Sequence, residues 1–256
     1  MKESWEAARL HGESDYTAQF SELIARIDLS AELIDPAQAA ICWYTNRLPY
    51  HNIEHMFAVT EEVLDQCGIQ KLDSVARQAL CLAALWHDAD YPTPLSETPE
   101  YVSKEQRSAK LAFDAITQTT DPSQTCPVQT TQLARQVADL IESTHESKTP
   151  STPYEIILNQ ADLCNLQGSL VEVLQNTMLL FVESRILAGE EFVGNVEQFA
   201  IDHAEQLTDY CNSSQIFLQK LLETKFTRHA TLASLRETVL QISPKNIRRL
   251  VFGKPS

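Results

Sequence analysis

The chain has 256 residues, 43% of them hydrophobic and 21% charged, and apolar side chains spread over the whole length exclude a wholly disordered protein. Only six glycines leave few positions for left-handed turns, which disfavours a many-stranded sandwich and favours regular helix. A formal charge of −15 disfavours a sequence-independent grip on long DNA or RNA, which needs a phosphate-neutralising basic face.

Along the chain, Phe20, Leu23, Ile24 and Ile27 recur at helical spacing, and Val59, Val63 and Leu64 mark a second apolar face. Val75 to Trp86 is apolar nearly all round, which predicts a central, buried helix. Pro92, Pro94 and Pro99 predict a loop over 91–103, because prolines so close together cannot propagate a helix. Breaks over 119–127 and 147–153 separate further helices at about 104–118, 129–146, 154–163, 168–188, 195–210, 213–226 and 230–241. No internal repeat or glycine–serine linker interrupts them. The pattern predicts an all-α fold and one domain over 1–256, with a motif-bearing core at about 44–190 and appended helices over 191–256.

No apolar stretch approaches the ~20 residues of a membrane span, and Met1-Lys-Glu-Ser-Trp-Glu lacks the basic and apolar regions of a signal peptide. The cysteines at 42, 67, 81, 126, 164 and 211 form no Cys-x-x-Cys pair and several sit among apolar residues. The expectation is a cytoplasmic protein with no membrane partner and no thiolate zinc site. Lys245, Arg248, Arg249 and Lys254 read as a solvated basic face.

Five pieces carry chemistry: Arg47-Leu-Pro-Tyr50-His51-Asn52-Ile-Glu-His55, Trp86-His87-Asp88, Glu105-Gln-Arg-Ser108-Ala109, His145, and Asp162 in Gln-Ala-Asp-Leu. Imidazole nitrogen with carboxylate oxygen suits a divalent ion and leaves positions for water and substrate. His87-Asp88 closes the buried helix, where charge is costly unless paired or bound to metal. His51 and His55 are four apart, and Pro49 predicts a helix start that leaves His51 near its first turn, on one face with His55. Taken singly, each piece also has an ordinary reading: a helix reaching the surface at Asp88, satisfied histidines at 51 and 55, a cap at Asp162. Arg47 offers a planar fork for phosphate, or a surface salt bridge.

Taken in order, the pieces resemble the HD superfamily of metal-dependent phosphohydrolases. The likeness is to predicted bacterial members with an Arg-x-Tyr-His-Asn-x-x-His opening, an Ala-x-x-x-His-Asp centre, a Glu-x-x-Ser-Ala helix, a Thr-x-His region and a late Asp-Leu. Here these read Arg47…Tyr50-His51-Asn52…His55, Ala83 to Asp88, Glu105…Ser108-Ala109, Thr144-His145 and Asp162-Leu163. The resemblance implies an HD-domain helical bundle with additional C-terminal helices. It implies His55, His87, Asp88 and Asp162 as ligands of a divalent ion (Mn, Mg, Fe, Co, Ni or Zn). The Tyr-His-Asn-x-x-His segment is also similar to the opening motif of cyclic-nucleotide phosphodiesterases, which makes His51 the candidate general acid. Asp162 or Glu105 is then the acceptor of the water proton, and Arg47, Arg107 and His145 are candidate substrate contacts. The chain departs from those enzymes in following His-Asp with Ala89-Asp90-Tyr91 in place of a further His, and in lacking their Gln-bearing helix. Cyclic nucleotide is therefore not carried over as substrate.

The expected activity is metal-dependent hydrolysis of a small phosphate ester, with a nucleotide as the leading substrate class. Two other readings stay open at this point. One is a non-catalytic module that keeps the scaffold for binding or regulation. The other is a di-iron oxygenase of the same scaffold, which would need further His ligands and has only His145 to offer.

Overall fold

In the computed structural model of the chain, residues 14–44, 48–119, 127–192, 194–225 and 232–252 are described. Arg47, Lys254 and most of the expected break over 119–127 lie outside them. The described residues form twelve α-helices and no strand, so the all-α expectation holds. The helices are α1 Ser14–Ile27, α2 Ala31–Ile41, α3 Ile53–Gln70, α4 Ser74–Trp86, α5 Lys104–Thr119, α6 Pro127–Glu142 and α7 Pro153–Asp162, followed by α8 Leu170–Leu187, α9 Val196–Asp202, α10 Ala204–Lys225, α11 Leu232–Val239 and α12 Pro244–Phe252. No described helix is long and apolar enough to cross a membrane.

The chain divides into two compact units. The first comprises residues 1–45, 51–145 and 150–161, and the second 46–50, 146–149 and 162–256. At the centre of the first is α4, started by Asp73, whose carboxylate accepts from the amide of Ala76. Ala76 and every residue from Ala79 to Trp86 are buried, as the apolar run predicts. Alanines at 79, 83 and 84 keep parts of its surface low, and α1, α2, α3, α5 and α6 all pack against it. Each fully buried leucine in it (80, 82 and 85) contributes about 1.5–3 kcal/mol of transfer free energy. The end of α4 is thus among the most firmly held points of the unit.

The second unit has its own apolar core, built on α8. Ser169 and Glu172 cap α8 reciprocally, and Val173, Leu174, Met178, Phe181 and Val182 bury against residues such as Phe199, Leu207 and Val239. This unit takes in the chain from residue 162 onward, and the apolar residues of α8 share a core with the later helices. Glu183, also buried, accepts from the backbone amide of Tyr50 at 3.0 Å, which ties residues 48–50 to this unit. The expected break between 210 and 213 is absent: Asn212 and Ser213 are exposed residues within α10. The break comes at His203, whose Nδ1 and backbone amide both engage the carbonyl of Phe199.

Cys67, Cys81 and Cys211 are buried, whereas Cys42 and Cys164 are partly accessible. Burial pushes the Cys211 thiol up to about 12, so at pH 8 only about one part in ten thousand is thiolate. Iodoacetamide at pH 8, followed by peptide mapping, should label Cys42 and Cys164 well before Cys67, Cys81 and Cys211. Similar rates at all five would contradict the packing.

Candidate metal centre

The site is made at helix ends. Asn52 caps α3 by accepting from the amides of Glu54 and His55, which fixes His55 in the first turn. His51 consequently lies just before the cap, near the first turn as expected, although the helix begins after Asn52 and not at Pro49. An asparagine cap that satisfies two amide donors outweighs the preference of proline for a first helical position. His87 follows the last residue of α4, and its Nδ1 lies 2.7 Å from the carbonyl of Ala84. That contact calls for a proton on Nδ1, so His87, when neutral, presents its Nε2 lone pair to the site. Asp88 comes next, and Asp162 is the last residue of α7.

One ligand atom from each of His55, His87, Asp88 and Asp162 lies within 4.8 Å of all the others. His87 Nε2 is 3.0 Å from Asp88 Oδ2 and 3.4 Å from His55 Nε2, and His55 Nε2 is 3.5 Å from the same carboxylate oxygen. Donors each about 2.0–2.2 Å from one ion stand roughly 3.0 Å apart at right angles and roughly 4.2 Å apart when opposite, so the group closes on one ion with small adjustment. Two imidazoles and two carboxylates are a donor set suited to a borderline or hard divalent cation.

His51 stands beside this group and outside it. Its Nε2 is 3.8 Å from Asp88 Oδ2, and its ring meets that of His55 edge-on, with centroids 5.6 Å apart. Burial is the largest single influence on Asp88 and opposes its charge. The charges of His87 and His51, with hydrogen bonds from His55 and His87, nevertheless hold its carboxyl well below the usual range.

The other expected contacts fall differently. Glu105 lies in the first turn of α5, partly buried, and is not part of the four-ligand group. Arg107 is buried. Its Nε pairs with Asp90 at 3.2 Å, and its terminal nitrogens donate to Thr98 Oγ1 and to the carbonyl of Asp90. The guanidinium of this candidate substrate contact is therefore engaged with the loop after His-Asp. His145 follows α6 in a turn. Arg47 lies outside the described residues. Two neighbours were missed by the sequence reading. Tyr91 stacks on His51, and Asn159 donates from Nδ2 to Ser143 Oγ at 3.0 Å, joining the last turns of α7 and α6. Burial of an asparagine in an apolar helix was the available signal for the second.

No protein-family profile matches the chain, and no curated protein matches it by sequence. Solved structures do match by fold. One is the phosphodiesterase domain of the rhodopsin phosphodiesterase of Salpingoeca rosetta, 14% identical, covering 90% of this chain and 82% of that one with a TM-score of 0.56. Another is the phosphodiesterase domain of the RhoPDE fusion protein from the same choanoflagellate, 16% identical, covering 94% and 92% with a TM-score of 0.51. The chain has a helical fold like that of these phosphodiesterase domains.

Asn159 is 2% exposed, one turn before Asp162. Replacing it with leucine should cost about 1–3 kcal/mol in chemical denaturation, since the bridge to Ser143 is lost inside the fold. An unchanged midpoint would show that the bridge does not hold α7.

Proposed function

We propose that the protein is a metal-dependent phosphohydrolase of the HD type that cleaves a small phosphate ester, with a nucleotide as the leading substrate class. The observation that carries the reading is the closeness of four ligand atoms, from His55, His87, Asp88 and Asp162, with a fifth side chain, His51, beside them and not among them. The fold shared with phosphodiesterase domains supports it. A divalent ion in such a site supplies Lewis acidity, which makes water a nucleophile near neutral pH and offsets charge on a phosphoryl group.

The remaining chemistry belongs to the side chains. His55 and His87 present imidazole nitrogens, and Asp88 and Asp162 supply the negative charge that selects a cation. Of the two carboxylates suited to take the proton of the attacking water, Asp162 stands in the group and Glu105 outside it, so Asp162 is assigned that part. The leaving oxygen must acquire a proton, and imidazole, with an ordinary pKa of about 6.5, donates well at neutral pH. His51 fills this role through Nε2. The net charge of −15 favours a small substrate over a polyanion, which the acidic surface would repel.

Purified protein should hold a divalent ion and hydrolyse a generic phosphodiester or members of a nucleotide panel when supplied with Mn²⁺, Mg²⁺, Co²⁺ or Ni²⁺. Asp88→Ala should abolish both binding and turnover, and hydrolysis that survives this substitution and exhaustive chelation overturns the reading. His51→Ala should keep the metal and lose on the order of 10²–10³-fold in kcat on esters with poor leaving groups, with a much smaller loss on activated aryl esters. Equal losses on both would remove its acid role.

A further inference from the structure

The turn after His-Asp is held residue by residue from one helix. Asp90 adopts a left-handed backbone conformation (φ 61°), which is costly for a residue other than glycine and persists only where the surroundings enforce it. Three side chains at the start of α5, spaced i, i+3 and i+4 and so on one face, supply that enforcement. Ser108 donates to the carbonyl of Ala89 at 2.8 Å. Arg107 grips both the carboxylate and the carbonyl of Asp90, and Thr93 donates to the same carboxylate. Lys104 places its ammonium 3.3 Å from the centre of the Tyr91 ring. Three consecutive residues, 89 to 91, are thereby fixed.

The result is a defined place for Tyr91. Its ring lies nearly parallel to the imidazole of His51, with 12° between the planes and 3.7 Å between the centroids. The imidazole covers one face of the phenol ring at that distance, so the Lys104 ammonium takes the other. A cation over an aromatic face is attractive, and it holds the Tyr91 ring in its place between the ammonium and His51. His51 itself precedes the cap of α3 and so gains no rigidity from helical backbone. Free rotation about its side-chain bonds would carry Nε2 away from the group at Asp88.

We propose that Tyr91 is the positioning residue for His51: backed by Lys104 and seated by the Arg107–Asp90 grip, its ring fixes the imidazole plane so that Nε2 faces the metal-ligand group. The functional part of this inference rests on the acid role proposed for His51, whereas the positioning part does not. Misplacing a catalytic group by about 1 Å is enough to cost on the order of 10²-fold in rate, so a residue that never touches substrate can govern the step.

Tyr91→Leu and Tyr91→Phe test this, with far-UV circular dichroism to confirm folding. In Mg²⁺-containing, histidine-labelled protein, the His51 ring protons, assigned with His51→Asn, should resonate upfield because they lie over an aromatic face. Tyr91→Leu should move them to ordinary imidazole positions, and Tyr91→Phe should leave them upfield. In kinetics, Tyr91→Leu should lower kcat about 10–100-fold on esters with poor leaving groups and only a few-fold on aryl esters, with KM within about twofold and metal content unchanged. Tyr91→Phe should recover most of the loss. An unaltered His51 signal in Tyr91→Leu overturns the proposal whether or not any ester is cleaved, and so does a uniform loss over all substrates, which a merely structural role would give. If the native protein cleaves no ester, the hydrolase reading falls and the resonance measurement still decides whether Tyr91 holds His51.

Discussion

The site depends on one largely buried carboxylate, Asp88, ringed by three imidazoles. Taking that charge out of water is unfavourable, and the histidines around it answer the cost only if some positive charge enters the group. With Nδ1 of His87 directed at Ala84, its Nε2 offers a lone pair towards Nε2 of His55, 3.4 Å away. Two ring nitrogens at that distance are accommodated by a proton or a metal ion held between them. Asp162 adds a second carboxylate to the same few ångströms. Such a constellation is poorly suited to a neutral interior and well suited to a divalent cation.

Helix ends, not helix middles, bring these donors together. A side chain in the middle of α4 points at one neighbouring helix and is lost to apolar packing, whereas His87 and Asp88 emerge where the regular backbone stops. His55 sits in the first turn of α3 and Asp162 at the last residue of α7. What α4 contributes is immobility: buried along nearly its whole length, it fixes the point from which His87 and Asp88 leave. The stability of the core and the geometry of the site are then the same property.

How much of this could be read from the sequence varied with the kind of signal. The central helix was legible because an all-round apolar run has few other fates, and His87-Asp88 stood out as polar residues attached to its end. Helix ends were less legible. Pro49 suggested a start close by that Asn52 in fact provides, and the break expected between 210 and 213 falls where the helix continues, with Asn212 and Ser213 exposed. Periodicity shows that Leu170–Leu187 has apolar residues to bury but not which core receives them, so the border near 162 was not visible. Nor was the part played by Arg107, since a guanidinium on a helix looks the same in sequence whether it meets phosphate, solvent or a left-handed turn.

The disposition of Arg107 bears on recognition. Two cations near the site, Arg107 and Lys104, are engaged with Asp90 and Tyr91, and so serve the turn after His-Asp before any ligand arrives. Under the proposed reading, an incoming phosphate therefore meets little fixed positive charge from these residues, and its affinity comes mainly from the divalent ion. That makes recognition local to one phosphoryl group. A long anion would gain nothing from its further phosphates on a surface of net charge −15. The same cations that stiffen the turn are thus already engaged there, and under the proposed reading a small ester is the substrate that such a loop suits.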